Sequence, residues 1–222
     1  MPVEIMRGFE QAFGCMILEA YGLSETSPVA SFNHPGRARK PGSIGTPAEG
    51  TEMRVVDSDG SGLPAGEVGE IAIRGHNVMK GYWGKPDATA EAIPDGWFRT
   101  GDLARVDDDG YFFIVGRKKD LIIRGGYNVY PREIEEVLHE HHAVAEVAVI
   151  GIPHAELGEE IGAAVQLKAG ATATPAELRA FTRERVAAYK YPRHVWLVRE
   201  LPKGPTGKIL NREVQPPQNF LQ

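Results

Sequence analysis

One cysteine in 222 residues, Cys15, leaves no disulfide framework and no cysteine-built metal site. An excess of cationic residues is also missing. Lysine and arginine number 25 against 30 acidic residues, a formal charge of −5, which argues against a nucleic-acid-binding face. Long apolar runs are absent too. The longest, VAVIGIP at 147–153, falls far short of the roughly 20 residues that span a bilayer. The opening stretch MPVEIMRG carries an acid and no apolar centre, so it does not read as a secretory signal. There are no internal repeats and no low-complexity segments. With 42% hydrophobic and 25% charged residues, the expectation is a soluble, cytoplasmic globular protein of one large or two small domains.

Glycine and proline are plentiful instead, at 26 and 16 residues, and their placement divides the chain. Residues 3–13 space Ile5, Met6, Phe9 and Phe13 at a helical period. MIL at 16–18 reads as a short buried strand, followed by the polar loop YGLSETSP. From about 43 to 116 the texture is β: EMRVVD, then EVGEIAIRG, then the hairpin DLARVDDDGYFFIVGR. Asp109-Gly110 supplies the turn residues of that hairpin, and the frequent glycine and proline suit a small barrel. After 117 the texture becomes mixed. Pro131 fits the first turn of a helix with Ile134, Val137 and Leu138 on one face. EVAVIGI, IGAAVQLKAG and HVWLVRE read as strands. Thr174, Pro175 and Glu177 open a second helix with a capping box, carrying Leu178, Phe181 and Val186 and ending before Pro192.

Several stretches carry chemistry, each with a plainer alternative. LPKGPTGKIL at 201–210 looks like the end of a phosphate loop. Yet Pro202 and Ile209 stand where a P-loop needs glycine and a hydroxyl, so Lys208 would act as a single charge on an exposed loop. Glu25 and Thr26 sit in a loop able to offer hard oxygen ligands to magnesium and phosphate, or simply to turn the chain. Asp102, after Thr100-Gly101, either accepts hydrogen bonds from ribose hydroxyls or closes an Asx-turn. Arg117 ends a hairpin in a basic turn, and Gly125-Gly126 implies close backbone approach to a ligand or a strand. His139, His141 and His142 have no acid or cysteine at ligand spacing and suit a helix C-terminus better than zinc. Ser24 and Ser27 lack a nucleophile elbow.

Taken in order, YGLSETSP, GWFRTGDLARVDDDGYFFIVGRKKDLIIRGGYNVYPREIE and PKGPTGKILNRE resemble the adenylate-forming superfamily, and within it the acyl-CoA synthetases, or fatty-acid–CoA ligases. The resemblance runs from about residue 15 to 213. It implies an α/β and α+β architecture with three parts. Residues 1–44 would be the remnant of a large α/β domain, 45–117 a small distorted β-barrel, and 118–222 a mobile α+β domain around a small central sheet. It implies a two-step reaction, in which a carboxylate and ATP give acyl-AMP and coenzyme A then displaces AMP, with the C-terminal domain swinging between steps.

Residue by residue, Tyr21 matches a position packing on adenine and Gly22 one beside the acyl pocket. Glu25 matches the Mg2+ ligand and Thr26 a phosphate contact. Asp102 matches the ribose-binding aspartate, Arg117 a second ribose or phosphate contact, and Ile114 an apolar neighbour of the nucleotide. Lys119 falls at the hinge. Gly125, Gly126 and Tyr127 match the loop lining the pantetheine tunnel, and Lys208 the lysine that stabilises charge as pyrophosphate leaves. The family's upstream phosphate loop, ending in Pro-Lys-Gly, has no counterpart in the sequence. Three expectations follow: the C-terminal part of a ligase with incomplete activity alone, one chain of a split ligase, or a non-catalytic AMP- or CoA-binding module. The implied partners are a carboxylic, expected fatty, acid, CoA, and either an N-terminal ligase fragment or a second copy.

Overall fold

The computed structural model describes residues 3–205 and 207–220. The chain divides into two compact units, residues 1–118 and 119–222.

The first unit opens with helix α1 (Val3–Phe13). Met6 is its buried anchor. Arg39 ties the helix down further, with Nη2 3.1 Å from Glu10 Oε2 and Nη1 donating to the Ile17 carbonyl at 2.8 Å. The stripe Ile5, Phe9 and Phe13 on the same helix is exposed. Residues 16–18 are not the buried strand expected of them. They carry no strand pairing, and Met16 and Leu18 are exposed. A strand exists only where a neighbour takes its N–H and C=O groups, and among the described residues none lies beside this stretch. Pairing begins at β1 (Ala20–Tyr21), which meets β2 (Ser31–Phe32), which in turn meets β3 (Thr46–Pro47), all antiparallel.

The β-rich region is an antiparallel meander of four strands. These are β4 (Thr51–Val56) and β5 (Gly69–Gly75), then, after the short helix α2 (Pro86–Ala92), β6 (Phe98–Val106) and β7 (Phe112–Arg117). It is an open sheet among the described residues, where the glycine-rich texture suggested a barrel-like closure. Ile71, Ile73 and Ala104 on its inner face join Ala30 in a core that Tyr21 and Ile114 flank. The β6–β7 turn is built by Asp107, whose Oδ1 accepts from the Asp109 and Tyr111 N–H groups, while Gly110 takes φ +80°.

The second unit begins with the hairpin β8 (Ile122–Arg124) and β9 (Tyr127–Val129). Its two turn residues, Gly125 and Gly126, have φ of +56° and +84°. A two-residue turn of this hand requires positive φ at both positions, which glycine adopts most readily. Helix α3 (Pro131–His139) follows, with Ile134 and Leu138 fully buried. Strands β10 (Val144–His154) and β11 (Gly158–Leu167) form a long antiparallel pair. Helix α4 (Pro175–Arg183) opens on the expected box: Thr174 Oγ1 accepts from Glu177 N, and the Glu177 carboxylate returns to Thr174 N. It ends three residues before Val186, which therefore lies outside it. Strand β12 (His194–Val198) adds parallel to β11. Both faces of this sheet are covered, one by α3 and α4 over Val147, Val149, Ile161 and Val165, the other by Leu201 and Val214 over Ala148, Ile152 and Trp196. β10 is left at the sheet edge. No described helix is long and apolar enough to cross a membrane.

Candidate active site

In the first unit, Asp102 and Arg117 are cross-strand partners on β6 and β7, next to an irregularity between Leu103 and Ala104. Bulges of this kind re-aim side chains. Asp102 is buried, and its two oxygens diverge. Oδ2 accepts the Tyr21 hydroxyl at 2.6 Å, and Oδ1 lies 3.3 Å from Arg117 Nε. Burial, the negative charge of Asp102 and the hydrogen bond to it together push the Tyr21 phenol far above its ordinary value. An ionised carboxylate has about four lone-pair sites, so Asp102 retains capacity to accept from a ligand diol. The Arg117 guanidinium is largely exposed beside it. Ile114 and Tyr21 flank the same apolar core, which puts a polar pair and an apolar shoulder side by side.

The loop after β1 is fixed by its own backbone. Thr26 Oγ1 accepts from Leu23 N at 2.9 Å and lies 3.0 and 3.1 Å from the Leu23 and Pro28 carbonyls. Thr26 is fully buried, so its hydroxyl shapes this turn. Gly22 is needed for packing, since a Cβ there would sit 1.7 Å from the Pro28 carbonyl oxygen. Glu25 is held at both ends: its carbonyl accepts from Met79 N at 2.8 Å, and its Oε1 accepts from the Tyr82 hydroxyl at 3.0 Å. Burial and the bond to Glu25 raise the Tyr82 phenol above its usual value. No group of three metal-ligating side chains occurs among the described residues. Mg2+ takes one or two carboxylates and completes its shell with water and substrate phosphates; the Glu25 side chain is one carboxylate of that kind.

In the second unit, Lys119 is exposed and is its first residue. Gly125 and Gly126 form the β8–β9 turn, and Gly125 N donates to the Leu157 carbonyl at 2.8 Å. Tyr127 is exposed, its ring 4.8 Å from that of Tyr189. Lys208 sits exposed on a small closed loop. Lys203 and Ile209 bridge its stem, Gly204 N donates to the Lys208 carbonyl at 2.9 Å, and Leu210 N to the Pro202 carbonyl at 2.9 Å. The loop's other lysine, Lys203, is committed to Glu146 at 2.8 Å. Lys208 has no ion-pair partner among the described residues.

Two model matches decide the family. Residues 1–83 match the AMP-binding enzyme model, and residues 133–208 the AMP-binding enzyme C-terminal domain. The chain belongs to the AMP-binding enzymes. The chain is 48% identical over 215 residues to a long-chain-fatty-acid–CoA ligase of Bacillus subtilis (strain 168), covering 96% of this chain and 38% of that protein. It is 46% identical over 212 residues to a sulfoacetate–CoA ligase of Cupriavidus necator, covering 94% of this chain and 41% of the relative. Its fold matches the crystal structure of ATP-bound MatB from Rhodopseudomonas palustris with a TM-score of 0.89 at 40% identity, over 93% of this chain and 41% of MatB. The chain thus spans about two-fifths of the length of these proteins.

Three side-chain arrangements in the structure carry no mark in the sequence. Tyr82, the partner of Glu25, is 57 residues away in sequence. Arg124 and Glu160 form a buried bidentate pair, Nη2 to Oε2 at 2.8 Å, across 36 residues. Glu135 reaches from α3 to the Val149 N–H of β10. No local motif marks any of them, because each partner lies far along the chain and is brought near by tertiary packing.

Proposed function

We propose that this AMP-binding enzyme is the nucleotide-handling part of an ATP-dependent acyl-CoA ligase. The observation that carries the reading is the buried Asp102 carboxylate, held by Tyr21 and flanked by Arg117, in a chain whose relatives are named as CoA ligases. In the first step a carboxylate oxygen bonds to the α-phosphorus of ATP, and the bond from that phosphorus to the β-bridging oxygen breaks, releasing pyrophosphate. In the second step the sulfur of CoA loses its proton and bonds to the acyl carbon, and the acyl–phosphate oxygen bond breaks, releasing AMP. Asp102 accepts from the ribose hydroxyls and Arg117 adds a contact to ribose or phosphate. Tyr21 fixes the Asp102 carboxylate and offers its ring to adenine beside Ile114. Gly22 and Thr26 hold the loop that presents Glu25. When bound at Glu25, Mg2+ neutralises phosphate charge. Lys208 stabilises the charge that builds as pyrophosphate leaves, and Gly125, Gly126 and Tyr127 contact the pantetheine arm. The acid is a fatty acid in this reading, and the setting is the cytoplasm.

A second observation bears on the partner. Ile5, Phe9, Phe13, Met16 and Leu18 are all exposed, and among the described residues β1 pairs only with β2. Patches of this kind mark contact surfaces. The occupant in our reading is the portion of a ligase that the relatives possess and this sequence does not include.

ATP–pyrophosphate exchange with a fatty acid tests both statements, run on the chain alone and with a polypeptide carrying the remaining portion of the Bacillus subtilis relative. Exchange is expected only in the mixture. Exchange by the chain alone would overturn the partner reading. None in either, with AMP or CoA still binding by calorimetry, would favour the non-catalytic binding module. Self-association through Phe9 and Phe13 would favour a homo-oligomer.

A further inference from the structure

The loop bearing Lys208 is short, exposed and glycine-rich, yet a catalytic ammonium acts only if its loop holds one geometry. The loop's own three backbone bonds close it on itself; they do not attach it to the sheet. Within the loop, Lys203 pairs with Glu146 of β10 at 2.8 Å and Ile209 packs on the second core of the sheet; further attachment comes from either end. On the upstream side Leu201 is buried against Trp196 and Val214. On the downstream side the chain makes a single 3-10 turn, Asn211–Glu213, three residues past Lys208. There Asn211 Nδ2 meets Glu135 Oε1 at 3.4 Å. The same carboxylate oxygen accepts the Val149 N–H at 3.0 Å.

Val149 lies in the middle of β10, which borders the sheet. Its N–H would otherwise be an unpaired donor under α3. One acid on α3 therefore satisfies the edge strand and reaches the stem of the lysine loop, 76 residues away in sequence. Burial is the main influence on Glu135 and raises its pKa, so placing a charge there is costly. A glutamate kept in such a position, where an apolar residue would pack as well, calls for a reason.

We propose that Glu135 is a positioning residue for Lys208, clamping the stem of the lysine loop to the edge strand through Val149 N–H and Asn211. The proposal rests on the ligase reading for the role of Lys208, but not for the clamp itself.

Hydrogen exchange on the chain alone tests the clamp. The amides of Gly204, Gly207 and Leu210 report the loop, and those of Ala163, Ala164 and Val165 in β11 report global stability. Glu135→Leu removes the acceptor, Glu135→Gln keeps one, and Asn211→Ala cuts the loop side while leaving Val149 bonded and α3 untouched. Loop exchange is expected to rise about tenfold in E135L and N211A with β11 unchanged, and to stay near wild type in E135Q. No rise in either E135L or N211A overturns the proposal, and so does a rise shared equally by β11 in both.

The catalytic consequence is read as acyl-adenylate formation in the mixture with the relative's remaining portion. E135L and N211A should lower kcat with ATP KM held, and E135Q should rescue most of it. A rise in KM instead, or a wild-type rate in both loosened variants, overturns the link to Lys208. A silent wild-type mixture together with a positive exchange result would sink the ligase reading and leave the clamp standing.

Discussion

Tyr21 gives its phenolic proton to Asp102 Oδ2 at 2.6 Å, joining two residues 81 positions apart. The bond fixes one face of a buried carboxylate and leaves the other toward Arg117, 3.3 Å away. It also makes the phenol hard to ionise, because a tyrosinate would stand against the Asp102 charge in a buried setting.

Spectroscopic titration checks this directly. A free tyrosine ionises near pH 10, and the chain has seven. Tyr21→Phe should leave the tyrosinate absorbance of the native protein near pH 10.5 unchanged and reduce only the rise that accompanies unfolding. The same variant should cost about 1–2 kcal/mol in urea unfolding, since it strips a partner from a buried carboxylate. A drop in the native titration amplitude would contradict the geometry.

Lys208 and Lys203 share one loop and should behave oppositely. Lys208 is exposed, so Lys208→Ala should shift stability by less than about 0.5 kcal/mol while slowing acyl-adenylate formation by at least about a hundredfold. Lys203 pairs with Glu146 at 2.8 Å, and Lys203→Ala should cost no more than about 1 kcal/mol of stability. Its effect on the adenylation rate should be well below that of Lys208→Ala, since it loosens the loop without removing the acting charge. Single-turnover rates and urea midpoints on both variants separate the two roles.

Two acids of the second unit should bend the pH profile of stability in opposite senses. Burial opposes ionisation of Glu160, but the Arg124 hydrogen bonds, the Ile161 N–H and the nearby arginine charges outweigh it, holding its pKa below the ordinary value. Its contribution is therefore present above the ordinary carboxylate pKa and lost as pH falls through the depressed one. Breaking this buried pair by Glu160→Gln should cost about 3 kcal/mol at neutral pH, a difference that shrinks below about pH 4. Glu135 is raised, chiefly by burial. Its contribution is full below the ordinary value and lost as pH rises through the raised one, so Glu135→Gln should gain on wild type upward of about pH 4.5. Parallel curves for wild type and either variant would refute the assignment.

The β8–β9 turn offers a backbone test. A Cβ on Gly126 would meet nothing within 4 Å, yet its φ is +84°. Gly126→Ala should therefore cost about 1–2 kcal/mol through conformation alone. Gly116 is equally open without a positive φ, and Gly116→Ala there serves as the mild control. Equal costs at the two glycines would show that the turn is not the source.

Much of this was written locally. Thr174 and Glu177 announce α4 because a capping box needs only residues three apart. Pro131 starts α3 because its missing N–H is no loss in a first turn. Gly125-Gly126 marks a tight turn because glycine takes positive φ at both turn positions at little cost. The motif residues Asp102, Arg117 and Lys208 were likewise visible as short patterns. Residues 16–18 misled for the complementary reason: an apolar triplet records a wish to be covered, and only a neighbouring strand can grant it.

By itself the sequence determined where helices and turns begin and which residue types stand ready for nucleotide chemistry, since those choices depend on neighbours along the chain. Tertiary structure decided the partners: Tyr21 for Asp102, Tyr82 for Glu25, Arg124 for Glu160, and Glu135 for the stem beneath Lys208. The reason is that hydrogen bonds and ion pairs act over a few ångströms. Which distant residues come that close is fixed by strand register and by the face each helix buries, not by any local pattern.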